Sequence, residues 1–174
     1  MNLLNDIVEK IILVKPKLNV DYEELVRVAA KGLPATVTKD IAVELLSSTA
    51  ASFAVKDYDY NVLAGRFLAQ RLHETTDYSF SEYVELAKGY LSEETYQIVQ
   101  EHKAVLDRAV DPRKDFVFDV VGLRTLMKSY LTKVDGVIAE TPQYLYMRVS
   151  IGIHGDNIPK VLESYELLSQ RLFG

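Results

Sequence analysis

The chain has 174 residues, of which 48% are hydrophobic and 26% are charged, and these proportions exclude a disordered or fibrous protein. Twenty basic against 25 acidic side chains give a formal net charge of −5, which makes nucleic acid and anionic membranes poor partners. Cysteine is absent, which excludes disulfides, thiolate metal sites and a cysteine nucleophile within this chain. No apolar run approaches the ~18–20 residues that span a bilayer, and the N-terminus lacks a signal-peptide pattern. We therefore expect a cytoplasmic domain without a nucleic-acid or membrane partner.

Apolar residues recur at three-to-four spacing along most of the chain, which is the helical period. Capping residues begin several of these segments, and prolines or glycines end them. Asp21, Thr38, Ser92 and Thr141 are the predicted N-caps. In chain order, the predicted helices span about 3–14, 21–31, 38–55, 59–75, 81–90, 92–110, 119–131, 141–154 and 157–173.

One short segment departs from the helical period. Asp135-Gly136 lies between two short runs containing β-branched residues, 131–134 and 137–140, which is a strong hairpin signal. The predicted fold class is therefore mainly α: a multi-helix orthogonal array with one short β-hairpin at about residues 131–140.

Catalytic and cofactor motifs are missing from the sequence. His73, His102 and His154 are far apart and have no metal-ligand spacing, and no phosphate-binding glycine loop occurs. His154 falls at a predicted helix end, where an imidazolium complements the negative terminus. We predict no catalytic residue, no metal site and no cofactor in this chain.

Arg148 is the charged residue that needs an explanation, because it lies within the nearly continuous apolar run 144–151. A buried guanidinium without a partner is costly. Arg148 is therefore expected to form an internal salt bridge, for example with an acid of a neighbouring helix. The alternative is a contact with a further domain.

The segment around Arg148 also carries a family resemblance. Residues 138–154 read IAETPQYLYMRVSIGIH, between LRTLMKSYL at 123–131 and SYELLSQRLF at 164–173. Upstream, residues 59–66 read DYNVLAGR. This order, over nearly the whole chain, resembles the N-terminal all-α region of the large, catalytic subunit of aerobic (class I) ribonucleotide reductases.

The resemblance implies a role in deoxyribonucleotide synthesis for DNA replication. In the family, a catalytic α/β barrel follows this region and supplies the reactive cysteines, and a small subunit generates the radical. The implied partners are therefore a barrel domain or chain and that small subunit, and this chain alone should be inactive. A naturally split subunit and a piece of a longer protein both fit. The alternative is a free-standing helical binding or regulatory protein derived from this domain.

The resemblance also divides the chain. Residues 1–55 look like a remnant of the family's ATP-cone helices without the nucleotide-gripping hairpin, and residues 56–174 look like the all-alpha domain, the two forming one packed unit. Lys39, Val43 and Glu74 fall where the family's ATP contacts are a threonine, an acid and a lysine. This mismatch predicts that the chain does not bind ATP.

Five residues of the matching region are candidates for a domain interface or a structural role. They are Gln143, Arg148, His154, Tyr165 and Arg171.

Overall fold

The computed structural model describes residues 2–170, which form ten α-helices, three short 3₁₀ helices and one two-stranded antiparallel hairpin. The predicted mainly α fold class is therefore confirmed. No helix within this described range is both long and apolar enough to cross a membrane. The elements are α1 (Asn2–Ile12), α2 (Tyr22–Ala30), α3 (Lys39–Ser52), α4 (Asp59–Thr75), α5 (Phe80–Leu86), α6 (Glu93–Glu101), α7 (Lys103–Ala109), α8 (Val120–Ser129), β1 (Lys133–Val134), β2 (Val137–Ile138), α9 (Pro142–His154) and α10 (Ile158–Ser169), with 3₁₀ turns at Phe53–Val55, Lys88–Tyr90 and Pro112–Val117.

Four helices begin directly after their predicted N-cap residues. Each capping side chain accepts a hydrogen bond from a backbone N–H that has no partner within the helix. All four predicted N-caps are confirmed. The hydrogen bonds are Glu24 N to Asp21 Oδ1 at 3.0 Å, Ile41 N to Thr38 Oγ1 at 3.2 Å, Thr95 N to Ser92 Oγ at 3.1 Å and Tyr144 N to Thr141 Oγ1 at 3.2 Å.

The chain divides into two compact units. Unit 1 consists of residues 2–75 with 116–125, and its centre is the pairing of α3 with α4. Small side chains allow these two helices to approach closely. Ser47, fully buried on α3, donates its hydroxyl to the Ala64 carbonyl of α4 at 2.9 Å.

Gly65 marks a second close approach within unit 1. A Cβ atom built on Gly65 would lie 2.3 Å from the Phe118 carbonyl oxygen and 2.9 Å from the Asp119 carbonyl carbon. Both are backbone atoms, so this crossing of α4 with the segment before α8 requires glycine at position 65.

Unit 2 consists of residues 76–115 with 126–170. Helices α9 and α10 pack against each other, and α6 also contacts α9. The apolar core contains large side chains from α5, α6, α7, α9 and α10. Its buried members include Phe80, Tyr83, Val99, Leu106, Met147, Ile151, Val161 and Tyr165.

The hairpin forms where it was predicted, with Lys133 opposite Ile138 and Val134 opposite Val137. Asp135 and Gly136 both have positive φ, 51° and 82°, as a two-residue hairpin turn requires. The paired strands are only two residues long each, shorter than the runs that the sequence suggested.

One predicted helix, 92–110, is wrong as a single element. It is split into α6 and α7 at His102, whose φ of −125° and ψ of 26° do not continue a helix. Both halves bury apolar residues, so the period continues across the break, and periodicity alone could not reveal it. The end of the predicted helix 157–173 lies outside the described residues, and α10 is described to Ser169.

Candidate functional site

The polar groups buried in unit 2 gather first around Glu140, which is 0% exposed and precedes α9. Arg148 donates from Nε to Glu140 Oε2 at 2.7 Å and from Nη2 to Oε1 at 3.0 Å. The Thr132 backbone N–H donates to Oε1 at 3.1 Å, and the Tyr83 hydroxyl donates to Oε2. This set, Glu140, Arg148, Thr132 and Tyr83, is called the Glu140 cluster below. Each carboxylate oxygen accepts at least two hydrogen bonds.

Arg148 and Tyr83 both keep the protonation state in which they donate hydrogen bonds to Glu140. The hydrogen bond to Glu140 raises the pKa of Arg148, although burial opposes it. Burial, with the negative charge of Glu140, raises the pKa of Tyr83. Arg148 therefore stays a cation and Tyr83 a neutral donor at physiological pH. The carboxylate is held by one bidentate ion pair and three neutral donors, which are the Tyr83 hydroxyl and the backbone N–H and hydroxyl of Thr132.

A second buried group joins Gln143 on α9 to Tyr165 on α10. The Tyr165 hydroxyl donates to Gln143 Oε1 at 2.8 Å and accepts from the Asp111 backbone N–H at 3.0 Å. The Gln143 backbone N–H donates to Asp115 Oδ1 at 3.2 Å. Burial raises the pKa of Tyr165 to about 12, so its hydroxyl remains a donor. These bonds tie the start of α9 to α10 and to the third 3₁₀ turn, and they tie α10 to Asp111 just before that turn.

The remaining two candidates from the sequence are placed differently. His154 Nε2 lies 2.6 Å from the Ser164 hydroxyl, so it links the end of α9 to α10. Arg171 lies outside the described residues. The structure thus brings Gln143 and Tyr165 together, whereas Arg148 pairs with Glu140 and His154 with Ser164.

Unit 1 contains a groove of about 540 Å³ lined by α1, α3 and α4. Its wall includes all three positions that the resemblance identified as mismatched, Lys39, Val43 and Glu74. Ile7 and Phe67 are among its apolar lining residues.

Glu74 sits among cations at this groove. Lys39 Nζ lies 2.9 Å from Glu74 Oε2, Lys10 Nζ lies 3.4 Å from Oε2, and Arg71 Nη1 lies 3.3 Å from Oε1. Burial by itself raises the pKa of Glu74, but the hydrogen bonds and charge of Lys39, with Lys10 and Arg71, outweigh it and lower the pKa. Glu74 is therefore ionised at physiological pH.

Sequence reasoning missed the acid partner of Arg148 and one buried cation. Glu140 comes from the loop before α9, not from a neighbouring helix, and it lies eight residues before Arg148 in the quoted string. Arg66 is 1% exposed and donates to the Phe116 and Val14 carbonyls at 3.3 and 3.2 Å. Its place among apolar residues on α4 was the available signal.

The buried hydrogen bonds and ion pairs described above hold helices together. The buried polar side chains described above bond to other groups of the same unit, although Gln143 Nε2 is buried without a hydrogen-bond partner. Within residues 2–170, no group of three or more histidine, aspartate or glutamate side chains is placed to hold a metal ion. The fold and these clusters define a mainly helical domain whose buried polar residues serve internal cohesion.

Comparison with known proteins places this domain. The family described as "Ribonucleotide reductase, all-alpha domain" has a model that matches residues 116–173. The matched stretch contains most of the Glu140 cluster and both members of the Gln143–Tyr165 pair.

Full-length relatives extend the similarity to most of the chain. The ribonucleoside-diphosphate reductase large chain of Schizosaccharomyces pombe is 37% identical over 166 residues, which cover 89% of this chain and 20% of that protein. The large subunit of Dictyostelium discoideum is 36% identical over 91% of this chain and 20% of its own length. That of Arabidopsis thaliana is 36% identical over 90% of this chain and 21% of its own length.

The chain spans about a fifth of the length of the curated relatives it matches. It belongs to the ribonucleotide reductase large-subunit family, in the N-terminal all-alpha region of that family. The resemblance seen in residues 138–154 is therefore confirmed.

Proposed function

We propose that this chain is the N-terminal helical part of a ribonucleoside-diphosphate reductase large subunit of class I. It packs against a catalytic barrel that other sequence supplies, and the complete enzyme makes deoxyribonucleotides for DNA replication in the cytoplasm. The single observation that supports this most is the 36–37% identity to reductase large subunits over about nine-tenths of the chain.

The composition and the buried clusters support a scaffolding role for this part. The sequence contains no cysteine, so thiol chemistry must come from other sequence. The candidate residues Gln143, Arg148, His154 and Tyr165 make contacts inside unit 2, which favours a structural role. They shape a rigid surface for the barrel, and the small radical-generating subunit joins the complete enzyme. Residues 1–55 are an ATP-cone-like remnant, and residues 56–174 are the all-alpha domain.

The test is immunoprecipitation of the endogenous polypeptide with an antibody against this chain, followed by mass analysis of every captured species. We expect the precipitate to contain the barrel sequence of a reductase large subunit, either in one chain about five times as long or in a second, cysteine-containing chain. The precipitate should also reduce a ribonucleoside diphosphate when small subunit and reductant are added. Antibody blocked with the recombinant chain is the control.

A 19.7 kDa species that brings down no large-subunit sequence and no reductase activity would contradict the proposal. A free-standing helical binding or regulatory protein would then be the better interpretation.

Lys39, Val43 and Glu74 differ from the ATP-contact residues of the family, and this difference predicts that ATP and dATP do not bind to unit 1. Millimolar ATP or dATP should leave the melting temperature of the chain unchanged, because a ligand that binds the native state must stabilise it. The physical reason is that Glu74 places a negative charge in the groove and is already paired with Lys10, Lys39 and Arg71, while Asp6 and Glu9 also line the groove. The measurement is thermal unfolding against nucleotide concentration, with magnesium at constant excess. A saturable upward shift would contradict this prediction.

A further inference from the structure

Helix α9 of unit 2 has the composition of a helix that is buried on every side. Its 13 residues, PQYLYMRVSIGIH, include no aspartate, glutamate or lysine, and Arg148 is the one residue among them with a permanent charge. A helix that faces water normally carries several charged side chains on that face, whereas a helix that is apolar all round is buried. The composition of α9 therefore leaves no side of it suited to water.

The described chain nevertheless covers only part of α9. Helices α6 and α10 pack against it, and Met147 and Ile151 are 0% and 1% exposed. On the opposite side, Ile153 is 64% exposed, Gly152 is exposed and Val149 is half-buried. Residues three and four positions apart are neighbours on a helix surface, so these last three form one continuous strip. This strip, with Arg148 one turn before Gly152, is called the open face of α9 below.

Arg148 places a hydrogen-bond donor at the open face. Its Nε and Nη2 both donate to Glu140, and its third nitrogen, Nη1, makes no hydrogen bond with residues 2–170. The Arg148 side chain is 26% exposed, whereas that of Glu140 is 0% exposed. Because the pair with Glu140 is already neutral, the acceptor that suits Nη1 is a main-chain carbonyl. A second carboxylate would add a negative charge that no cation balances.

Gly152 leaves space for another backbone to approach the open face. No atom of the described chain lies within 4 Å of a Cβ built at Gly152, so packing within residues 2–170 gives no reason for glycine there. Glycine also destabilises a helix interior relative to alanine. A close backbone contact from outside the described chain supplies the reason, as the Phe118 backbone does for Gly65.

We propose that the open face of α9 is the surface on which the catalytic barrel of the large subunit packs. The chain spans about a fifth of the length of its relatives, so most of such a subunit lies outside it, and the match to the family's all-alpha domain includes all of α9. The barrel contributes apolar side chains against Val149 and Ile153, a main-chain carbonyl to Arg148 Nη1 and a backbone segment over Gly152. This inference rests on the proposed function and adds to it the surface of contact.

Oxidative footprinting of the assembly captured by immunoprecipitation tests this surface. Hydroxyl radicals modify exposed aliphatic side chains, and mass spectrometry measures the modified fraction of each residue relative to the unfolded peptide. Val137 and Leu86, which are 68% and 52% exposed, are internal controls away from the open face. We expect Ile153 to lose most of its reactivity, whereas Val137 and Leu86 keep theirs. An uncovered Ile153 would react as the two controls do.

Gly152→Leu, expressed as a tagged large subunit in the source cell, tests the close approach. Leucine is a strong helix former, and nothing in the described chain obstructs it at this position. In the assembly it would take the space of the barrel backbone, so Ile153 should regain reactivity and ribonucleotide reduction should fall. Met147 should stay protected, which verifies that α9 keeps its packing in unit 2.

Gly89→Leu is the matched control for Gly152→Leu. A Cβ built at Gly89 also has no atom within 4 Å, but this residue lies in the second 3₁₀ turn and not on α9. Gly89→Leu should keep the footprint and the activity of the wild type. A lysine-directed cross-linker applied to Asp156→Lys, just beyond the end of α9, identifies what covers the open face. We expect cross-links to barrel sequence.

The outcomes separate this inference from the proposed function. Capture of barrel sequence with Ile153 as reactive as Val137, or with a Gly152→Leu assembly that behaves as the wild type does, would overturn the inference and leave the proposed function intact. Cross-links from position 156 only to a second copy or to the small subunit would do the same. Capture without any barrel sequence would contradict both.

Discussion

Replacing Arg148 by alanine is expected to lower the free energy of unfolding by about 3–5 kcal/mol. Glu140 is 0% exposed, and the bidentate pair with Arg148 supplies its only cation in the described chain. Without that cation, the carboxylate must either remain charged in the interior or take up a proton, and both cost free energy. Chemical denaturation at pH 7 measures the loss.

Arg113→Ala is the control for Arg148→Ala. Arg113 also makes a close pair with an acid, Asp111 at 3.0 Å, but its side chain is 88% exposed. Exposed pairs contribute about 0–1 kcal/mol, so this variant should unfold almost as the wild type does. Equal stability of the two variants would show that burial of Glu140 does not govern the cost. A double variant, Glu140→Leu with Arg148→Met, should recover part of the loss, because it leaves no unpaired buried charge.

Replacing Gly65 by alanine is expected to destabilise unit 1 by about 1–3 kcal/mol. The added methyl group would lie 2.3 Å from the Phe118 carbonyl oxygen and 2.9 Å from the Asp119 carbonyl carbon. Backbone atoms cannot rotate away as a side chain does, so α4 and the segment before α8 must separate. This separation also pulls the Phe116 carbonyl away from buried Arg66. Thermal and chemical unfolding report the loss.

Gly152→Ala tests whether the effect of Gly65→Ala comes from the close approach. Gly152 is exposed within α9, and no atom lies within 4 Å of a Cβ built there. Alanine is favoured over glycine inside a helix, so this variant should gain about 0.5–1 kcal/mol. A loss of stability at position 152, or none at position 65, would contradict the described packing.

Much of the fold follows from local sequence. Helix period, capping residues and the Asp135-Gly136 turn act over three to eight residues, which is why the caps at Asp21, Thr38, Ser92 and Thr141 appear as predicted. The break at His102 could not be predicted from local sequence, because apolar residues keep the helical period on both sides of it.

The contacts of the candidate site residues could be predicted from the sequence only in part. The apolar surroundings of Arg148 predicted that it needs a partner, but they pointed to a neighbouring helix. The partner, Glu140, comes from the turn between the hairpin and α9, and only the folded chain closes that contact. Gln143 and Tyr165 are two of the five candidates from the matching region, but the sequence does not pair them, because their hydrogen bond joins residues 22 positions apart.

By itself, the sequence determined the helical class, the hairpin and the family, because periodicity, turn chemistry and a specific string are written in neighbouring residues. The tertiary structure decided which charges meet. Glu74 forms ion pairs with Lys10 and Lys39, which are 64 and 35 residues away in the sequence, and Gly65 packs against the backbone of Phe118. Such contacts depend on the angle and position at which helices pack against each other. A local pattern does not determine this packing, because the same helix can pack against many different neighbours.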